Sequence, residues 1–244
     1  MLKAVLFDLD DTLLGNSMDT FLPAYFHALT RYLDRLKPPE RLIAQLMHAT
    51  EAMDANDNRH VTNEEAFASA FYPALKPDRS TLQRIFQRFY AEEFPKLQSL
   101  THRRREARSL VEWALERGLQ VAVATNPLFP RVAVEQRLAW AGVSIDDFIY
   151  ALVTTYENMH ATKSHPAYYR EILRQLERHP GECLMVGDSW EMDVLPASTV
   201  GLQVYWITDE DELPSQDVPL AGRGSLGELW TAVRKQGAFP GAYD

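Results

Sequence analysis

The chain has a single cysteine among its 244 residues, so it can form no internal disulfide. That residue, Cys183, sits in an apolar run and reads as a small core side chain. No apolar stretch is long enough to span a bilayer. Asp8 interrupts the N-terminal apolar segment too early for a secretory leader. Positive charge is scarce: 25 basic against 34 acidic residues leave a net charge of −9, which argues against binding to nucleic acid or an anionic membrane. The one basic run, Arg103-Arg104-Arg105, reads as a solvated helix start. Internal repeats and low-complexity segments are also missing. These absences point to a cytoplasmic protein with no nucleic-acid or membrane partner. Its apolar content, 46%, is enough for a packed globular core.

What is present is an alternation. Strand-length apolar runs fall at Ala4–Phe7, Gln120–Thr125, Ile149–Val153, Cys183–Val186 and Gln203–Ile207. Helical patterns lie between them: Glu106–Arg117 before Gly118, Arg131–Ala141 before Gly142, and Ala167–Glu177 after Pro166. Thr208–Gly224 reads as a loop before a last helix, Leu226–Arg234. Alternating elements of this kind predict an α/β protein with a mainly parallel sheet covered by helices on both faces. One stretch breaks the rule. From Thr20 to Phe94 there is no strand pattern, and four apolar stripes keep helical spacing. They run through Phe21 to Leu36, Leu42 to Met53, Phe67 with Phe71, and Leu82 to Tyr90. Thr62 and Glu65 form a capping box ahead of the third. The predicted organisation is a core made of residues 1–16 and 98–244, with an inserted four-helix unit over 17–97.

Polar clusters stand where these strands end, the side of a parallel sheet that carries its chemistry. The segment FDLDDTL places Asp8 and Asp10 two apart, hence on one face of an extended chain, with Leu9 turned into the core. Thr125-Asn126 ends the second strand. Lys163 follows the third, and it is the only lysine between Lys96 and Lys235. Gly187-Asp188 ends the fourth, with Asp193 five residues on. Aspartates at strand ends also cap turns. Several converging on one point repel each other unless a cation intervenes, and a hard divalent ion such as Mg²⁺ suits an all-oxygen site.

FDLDDTL, VAVATN, the lysine before SHPAYYREIL, and CLMVGDSWEMD together resemble the four motifs of the haloacid dehalogenase superfamily of hydrolases. The resemblance runs the length of the chain and includes a helical cap after the first motif, as in members with a C1 cap. It implies a Rossmann-like fold with a mobile cap and a Mg²⁺-dependent phosphatase of small phosphorylated metabolites. By that likeness Asp8 is the nucleophile that becomes an aspartyl-phosphate, and Asp10 is the general acid and base. Thr125, Asn126 and Lys163 bind the phosphoryl group. Asp8, the Asp10 backbone carbonyl, Asp188 and Asp193 serve the metal. Dehalogenases of this superfamily lack an aspartate at position 10, so phosphatase chemistry is the expectation. Ser164 stands where the family often has proline. Thr12 is expected to brace the loop and Asp11 to shape the turn, and His160 and His165 read as surface residues. Hinges are expected near Gly15-Asn16 and Pro95–Leu100. The loop Asn56-Asp57-Asn58-Arg59-His60 is a candidate for substrate specificity, above all Asn56, Asp57 and Arg59. Alternatives within reach of the same residues are a phosphomutase or other phosphotransferase, a receiver-type signalling module, and a non-catalytic phosphate-binding protein. A monomer or small homo-oligomer is compatible with everything above.

Overall fold

The computed structural model describes residues 1–33, 38–56, 58–75, 78–209 and 218–241. Elements follow in chain order: β1 (Ala4–Phe7), β2 (Leu14–Gly15), α1 (Met18–Tyr32), α2 (Pro39–Asp54), α3 (Asn63–Phe71), α4 (Arg79–Glu92) and β3 (His102–Arg103). Then come α5 (Ala107–Glu116), β4 (Gln120–Val123), α6 (Arg131–Ala141), β5 (Leu152–Val153), α7 (Pro166–Leu176) and β6 (Cys183–Gly187). The chain closes with α8 (Leu195–Val200), β7 (Gln203–Ile207), β8 (Gly222–Gly224) and α9 (Leu226–Gln236).

Six strands pair in parallel in the order β5-β4-β1-β6-β7-β8. The side-chain alternation of each central strand supplies both faces. Val5, Phe7, Val121, Val123, Leu184 and Val186 join one core, which also takes α5, α6, α9 and the helical insertion. Ala4, Leu6, Ala122, Cys183 and Met185 join the other, closed by α7 and α8. This is the doubly wound, Rossmann-like α/β architecture that the alternation predicts. Strands buried on both faces are continuously apolar, which is why these runs could be read directly.

The helices α1 to α4 fall within the predicted insertion, and Thr62 and Glu65 make the expected capping box at the start of α3. Their aromatic stripe does not stop at the insertion. Phe94 stacks on Trp140 of α6 at 5.3 Å, and Phe21 meets the same indole. The return from α4 winds as a 3₁₀ helix over Phe94–Leu100. Leu36 of the first stripe lies outside the described residues, as does 210–217 of the predicted late loop.

Four expectations need correction. The end of the predicted late loop, Gly222–Gly224, is no loop but the edge strand β8, paired in parallel with Tyr205–Ile207 of β7. The run Ile149–Val153 forms a strand only at Leu152–Val153, and Ile149 is 90% exposed. Gln120–Thr125 leaves the sheet after Val123, which frees Thr125 to serve the site. The arginine run is no helix start. Arg103 pairs with Leu14 in a two-stranded antiparallel ribbon, β2 with β3, at the root of the insertion, and Arg104 reaches Asp11 at 3.4 Å.

Candidate active site

The four polar clusters meet at the carboxyl ends of β1, β4 and β6. β1 ends at Phe7, and Asp8 follows with its backbone N–H still bonded to Val186. Leu9 turns into the core and is fully buried. The chain then reverses through Asp11, whose φ of +54° is left-handed, and Leu14 N–H returns to the Leu9 carbonyl. Short polar residues tolerate that conformation better than branched ones do. Thr12 braces the turn by donating to Asp188 at 3.0 Å.

Lys163 arrives from the loop after β5, 3% exposed. Its ammonium bonds to the Asp8 carboxylate and to Asp193 at 2.5 Å. A buried lysine would shed its proton for want of water. Here burial opposes the charge, but Asp193 and Asp8 outweigh it and raise the Lys163 pKa, so the side chain stays a cation. Its loop is held in turn, since Lys163 N–H donates to the Asn126 side chain at 3.2 Å.

Asp193 is fully buried because the chain after β6 winds as a π-helix over Trp190–Val194 and folds its carboxylate back onto Ser189 N–H at 3.0 Å. Gly187 makes room. A Cβ there would overlap the Asp193 carboxyl group. The Gly-Asp pair is thus a packing requirement as well as a motif.

Asp8, Asp188 and Asp193 bring carboxylate oxygens within 4.8 Å of one another. Burial pushes the Asp8 carboxyl well above the usual carboxylate range, opposed by Lys163 and reinforced by Asp193, Asp188 and Asp10. Burial, and then Asp193, push Asp188 up to about 6. Oxygen-only donors under mutual repulsion fit a hard divalent cation. The Asp10 side chain is not part of this group.

Asp10 has a different partner. Arg137, 1% exposed in the middle of α6, reaches its carboxylate at 2.5 Å. The Asn16 amide donates to the other oxygen at 3.0 Å, and the Thr125 hydroxyl stands at 3.5 Å. The Arg137 guanidinium lies over the Phe129 ring at 4.5 Å, while its Nη2 has no hydrogen-bond partner. Reading the sequence for motifs misses Arg137 and Asn16. A signal for Arg137 was present: it shares the apolar face of α6 with Ala133, Val134, Leu138 and Ala141, all buried.

Of the candidates, Asp8, Asp10, Thr125, Asn126, Lys163, Asp188 and Asp193 come together. Asn56 does not join them directly. Its amide donates to Val61 and His160 carbonyls, at 2.8 and 3.1 Å, and ties the insertion to the loop before Lys163. Arg59 is exposed, and Asp57 lies outside the described residues. Asp54 reinforces the tie through Thr162 and Ser164, on either side of Lys163. His160 is half-buried against Glu171 at 2.6 Å, and His165 is exposed, with its ring nitrogen at the Asp54 carbonyl.

A parallel α/β sheet thus ends in two adjacent carboxylates, one bridged to a buried lysine and one to a buried arginine, the kind of centre found in hydrolases. The chain belongs to the haloacid dehalogenase-like hydrolases, whose family model matches residues 2–201. It is 24% identical over 205 residues to the pyrophosphatase PpaX of Anoxybacillus flavithermus (strain DSM 21510 / WK1), covering 82% of this chain and 80% of that one. Among solved structures it resembles a HAD phosphatase from Thermococcus onnurineus, with a TM-score of 0.58 and 23% identity over 98% of this chain and all (100%) of the other. It also resembles the 2-haloacid dehalogenase of Pseudomonas syringae pv. Tomato DC3000, with a TM-score of 0.61 and 20% identity over 97% of this chain and 100% of that one. The structural likenesses carry the fold, and phosphate and halide chemistry both occur on it. Among the described residues no helix is long and apolar enough to cross a membrane.

Proposed function

We propose that the protein is a Mg²⁺-dependent phosphomonoester hydrolase that works on a small phosphorylated metabolite through an aspartyl-phosphate on Asp8. The observation that carries this reading is the placement of Asp10. A second carboxyl group lies two residues from Asp8, its oxygens engaged by Arg137, Asn16 and Thr125. An alkoxide needs a proton to leave and a halide does not, so a positioned acid beside the nucleophile favours esters.

In the first step an oxygen of Asp8 attacks phosphorus, and the ester oxygen leaves with a proton from Asp10. In the second, Asp10 takes a proton from the attacking water, and the acyl-phosphate breaks to inorganic phosphate and free Asp8. Thr125 hydroxyl and Asn126 amide donate to the phosphoryl oxygens, and Lys163 offsets their charge. Asp8, Asp188 and the Asp10 backbone carbonyl would hold Mg²⁺, with Asp193 behind them. The bound ion would supply the positive charge that keeps Asp8 ionised and shields it from the incoming phosphate. The name of the pyrophosphatase relative agrees with phosphorus–oxygen chemistry.

We read residues 17–97 as a cap that closes over this centre, hinged near Gly15-Asn16 and Pro95–Leu100, with Arg59 at its specificity loop. On that reading Arg59→Ala reorders the relative rates across a substrate panel; an unchanged order would remove Arg59 from the site.

The test is phosphate release from a panel of small phosphomonoesters, with Mg²⁺ and with EDTA, against Asp8→Asn as blank. Metal-dependent release that the variant lacks is expected. Halide release from 2-haloacids with no phosphate release from any ester would overturn the reading.

A further inference from the structure

The helices α1 to α4, the loop into α6 and Tyr156-Glu157 line a half-open cavity of about 670 Å³. Cavities of that size hold small organic ligands. None of the clustered carboxylates lines it. Its walls are aromatic, with Tyr25, Phe26, Phe67, Phe86 and Phe129 among them. The Phe129 ring meets Tyr25 at 5.2 Å and carries the Arg137 guanidinium at 4.5 Å. Phe129 and Arg137 therefore stand between this cavity and Asp10.

The lining also carries acid. Glu64 and Glu157 both line the cavity, with the phenol rings of Tyr72 and Tyr156. Burial pushes the Glu64 carboxyl up, and the charge of Glu157 pushes it further. The two stretches of lining are joined where Glu64 N–H donates to the Tyr156 carbonyl at 2.8 Å, and burial, then Glu157 and Glu64, push the Tyr156 phenol well above its ordinary range. Glu157 is already engaged by Arg131 N–H at 2.9 and 3.0 Å, and Arg131 pairs with Glu135 at 3.5 Å. Glu64 is eased by Arg79, whose guanidinium stands 5.5 Å over the Tyr72 ring. The chain's own cation thus sits where carboxylate and aromatic ring converge. That pairing of groups recognises organic cations through Coulomb attraction and the ring faces together.

We propose that the cavity is a second ligand site, for a small organic cation whose apolar body lies among Tyr25, Phe67 and Phe86 and whose ammonium group lies at Glu64 and Glu157. The site is separate from the hydrolytic centre, so its occupation does not require Asp8.

Isothermal titration of the full-length protein tests this with 2-phenylethylamine, 2-phenylethanol and 3-phenylpropionate. The amine is expected to saturate one site and to bind about tenfold tighter than either analogue, the scale of a cation–π contact joined to an ion pair. Glu64→Gln narrows that preference. Asp8→Asn leaves binding unchanged. Thr50→Trp, a cavity-filling change, abolishes it, and Gln87→Trp at the exposed edge of the lining does the same if the first variant fails to fold. Absence of saturable binding, tighter binding of the carboxylate, dependence on Asp8, or survival of binding in the filled variants would each overturn the proposal. The readout needs no turnover, so a negative result leaves the phosphatase reading where it stands.

Discussion

Replacing Arg137 by methionine tests how the candidate acid–base residue is held. The change removes a cation that is 1% exposed and paired to Asp10 at 2.5 Å, while keeping most of the apolar stem. Removing one partner of a buried ion pair costs about 3–5 kcal/mol, because the survivor stays desolvated. Asp10 keeps some water, its side chain being 11% exposed, and it retains the Asn16 and Thr125 donors. The loss therefore belongs near the lower bound, about 3 kcal/mol. For a chain of this length each kcal/mol moves the melting temperature by roughly 3 °C, so Arg137→Met should melt about 9 °C lower.

The assay is a double-mutant cycle with Asp10→Asn, read by denaturation and by kinetics. Each single variant strands the other partner, and the double variant strands neither, so a coupling of about 2 kcal/mol is expected. In the kinetic arm the proposed mechanism has Arg137→Met lower kcat about 100-fold with little change in KM, because Asp10 would be misplaced while the phosphoryl-binding groups stay intact. In the Asp10→Asn background the same change should lower kcat little further. A coupling below about 0.5 kcal/mol, or fully multiplicative kinetic losses, would refute the argument that Arg137 acts through Asp10.

Lys163→Met leaves Asp8 and Asp193 facing each other without their shared cation, and kcat should fall about 1000-fold; steady-state rates within tenfold of the parent would contradict this. Asp188 titrates at about 6 in the fold against an ordinary 3.8, so its contribution to stability is fully present below about pH 4 and is lost as pH rises through 6. In EDTA the melting temperature of the parent should fall relative to Asp188→Asn across that window, and Mg²⁺ should remove the difference; a flat or rising difference counts against it. Asn63 is fully buried and donates from its side chain to the Pro127 and Ala161 carbonyls, with its backbone N–H on Met159. Asn63→Ala should cost about 2 kcal/mol in denaturant unfolding by stranding those carbonyls, and a cost below about 0.5 kcal/mol would mean that water replaces the amide.

Most of the sheet and the core of the site could be read from the sequence for one reason. Both are written locally. Val5 and Phe7 face one core while Ala4 and Leu6 face the other, so a four-residue run states its own burial. The spacing of Asp8 and Asp10 marks both as strand-end carboxylates, although the Asp10 side chain pairs with Arg137 outside the Asp8 cluster. What the sequence hides is long-range or solitary. The ribbon that joins Leu14–Gly15 to His102–Arg103 has two residues on each side and no periodicity to read. Ile149 looks like strand by composition, but the sheet edge takes only the last two residues of its run. Arg137 is one charge in a helix that otherwise looks ordinary, and only its position on the buried stripe sets it apart.

Arg137 also completes the charge arithmetic of the centre. Asp8, Asp10, Asp188 and Asp193 are four carboxylates. Lys163 answers for one of them from between Asp8 and Asp193, and Arg137 answers for Asp10. Two negative charges are left over, and they fall on the side of the cluster where the oxygens lie within 4.8 Å. Buried carboxylates either gain a proton or gain a cation. A divalent ion would neutralise that remainder without disturbing the Asp10–Arg137 pair, which lies outside the cluster. The centre is thus divided into a half that lacks positive charge and a half that is already balanced. On the proposed mechanism, that division lets a bound ion keep Asp8 ionised while Asp10, two residues away, keeps a separate partner.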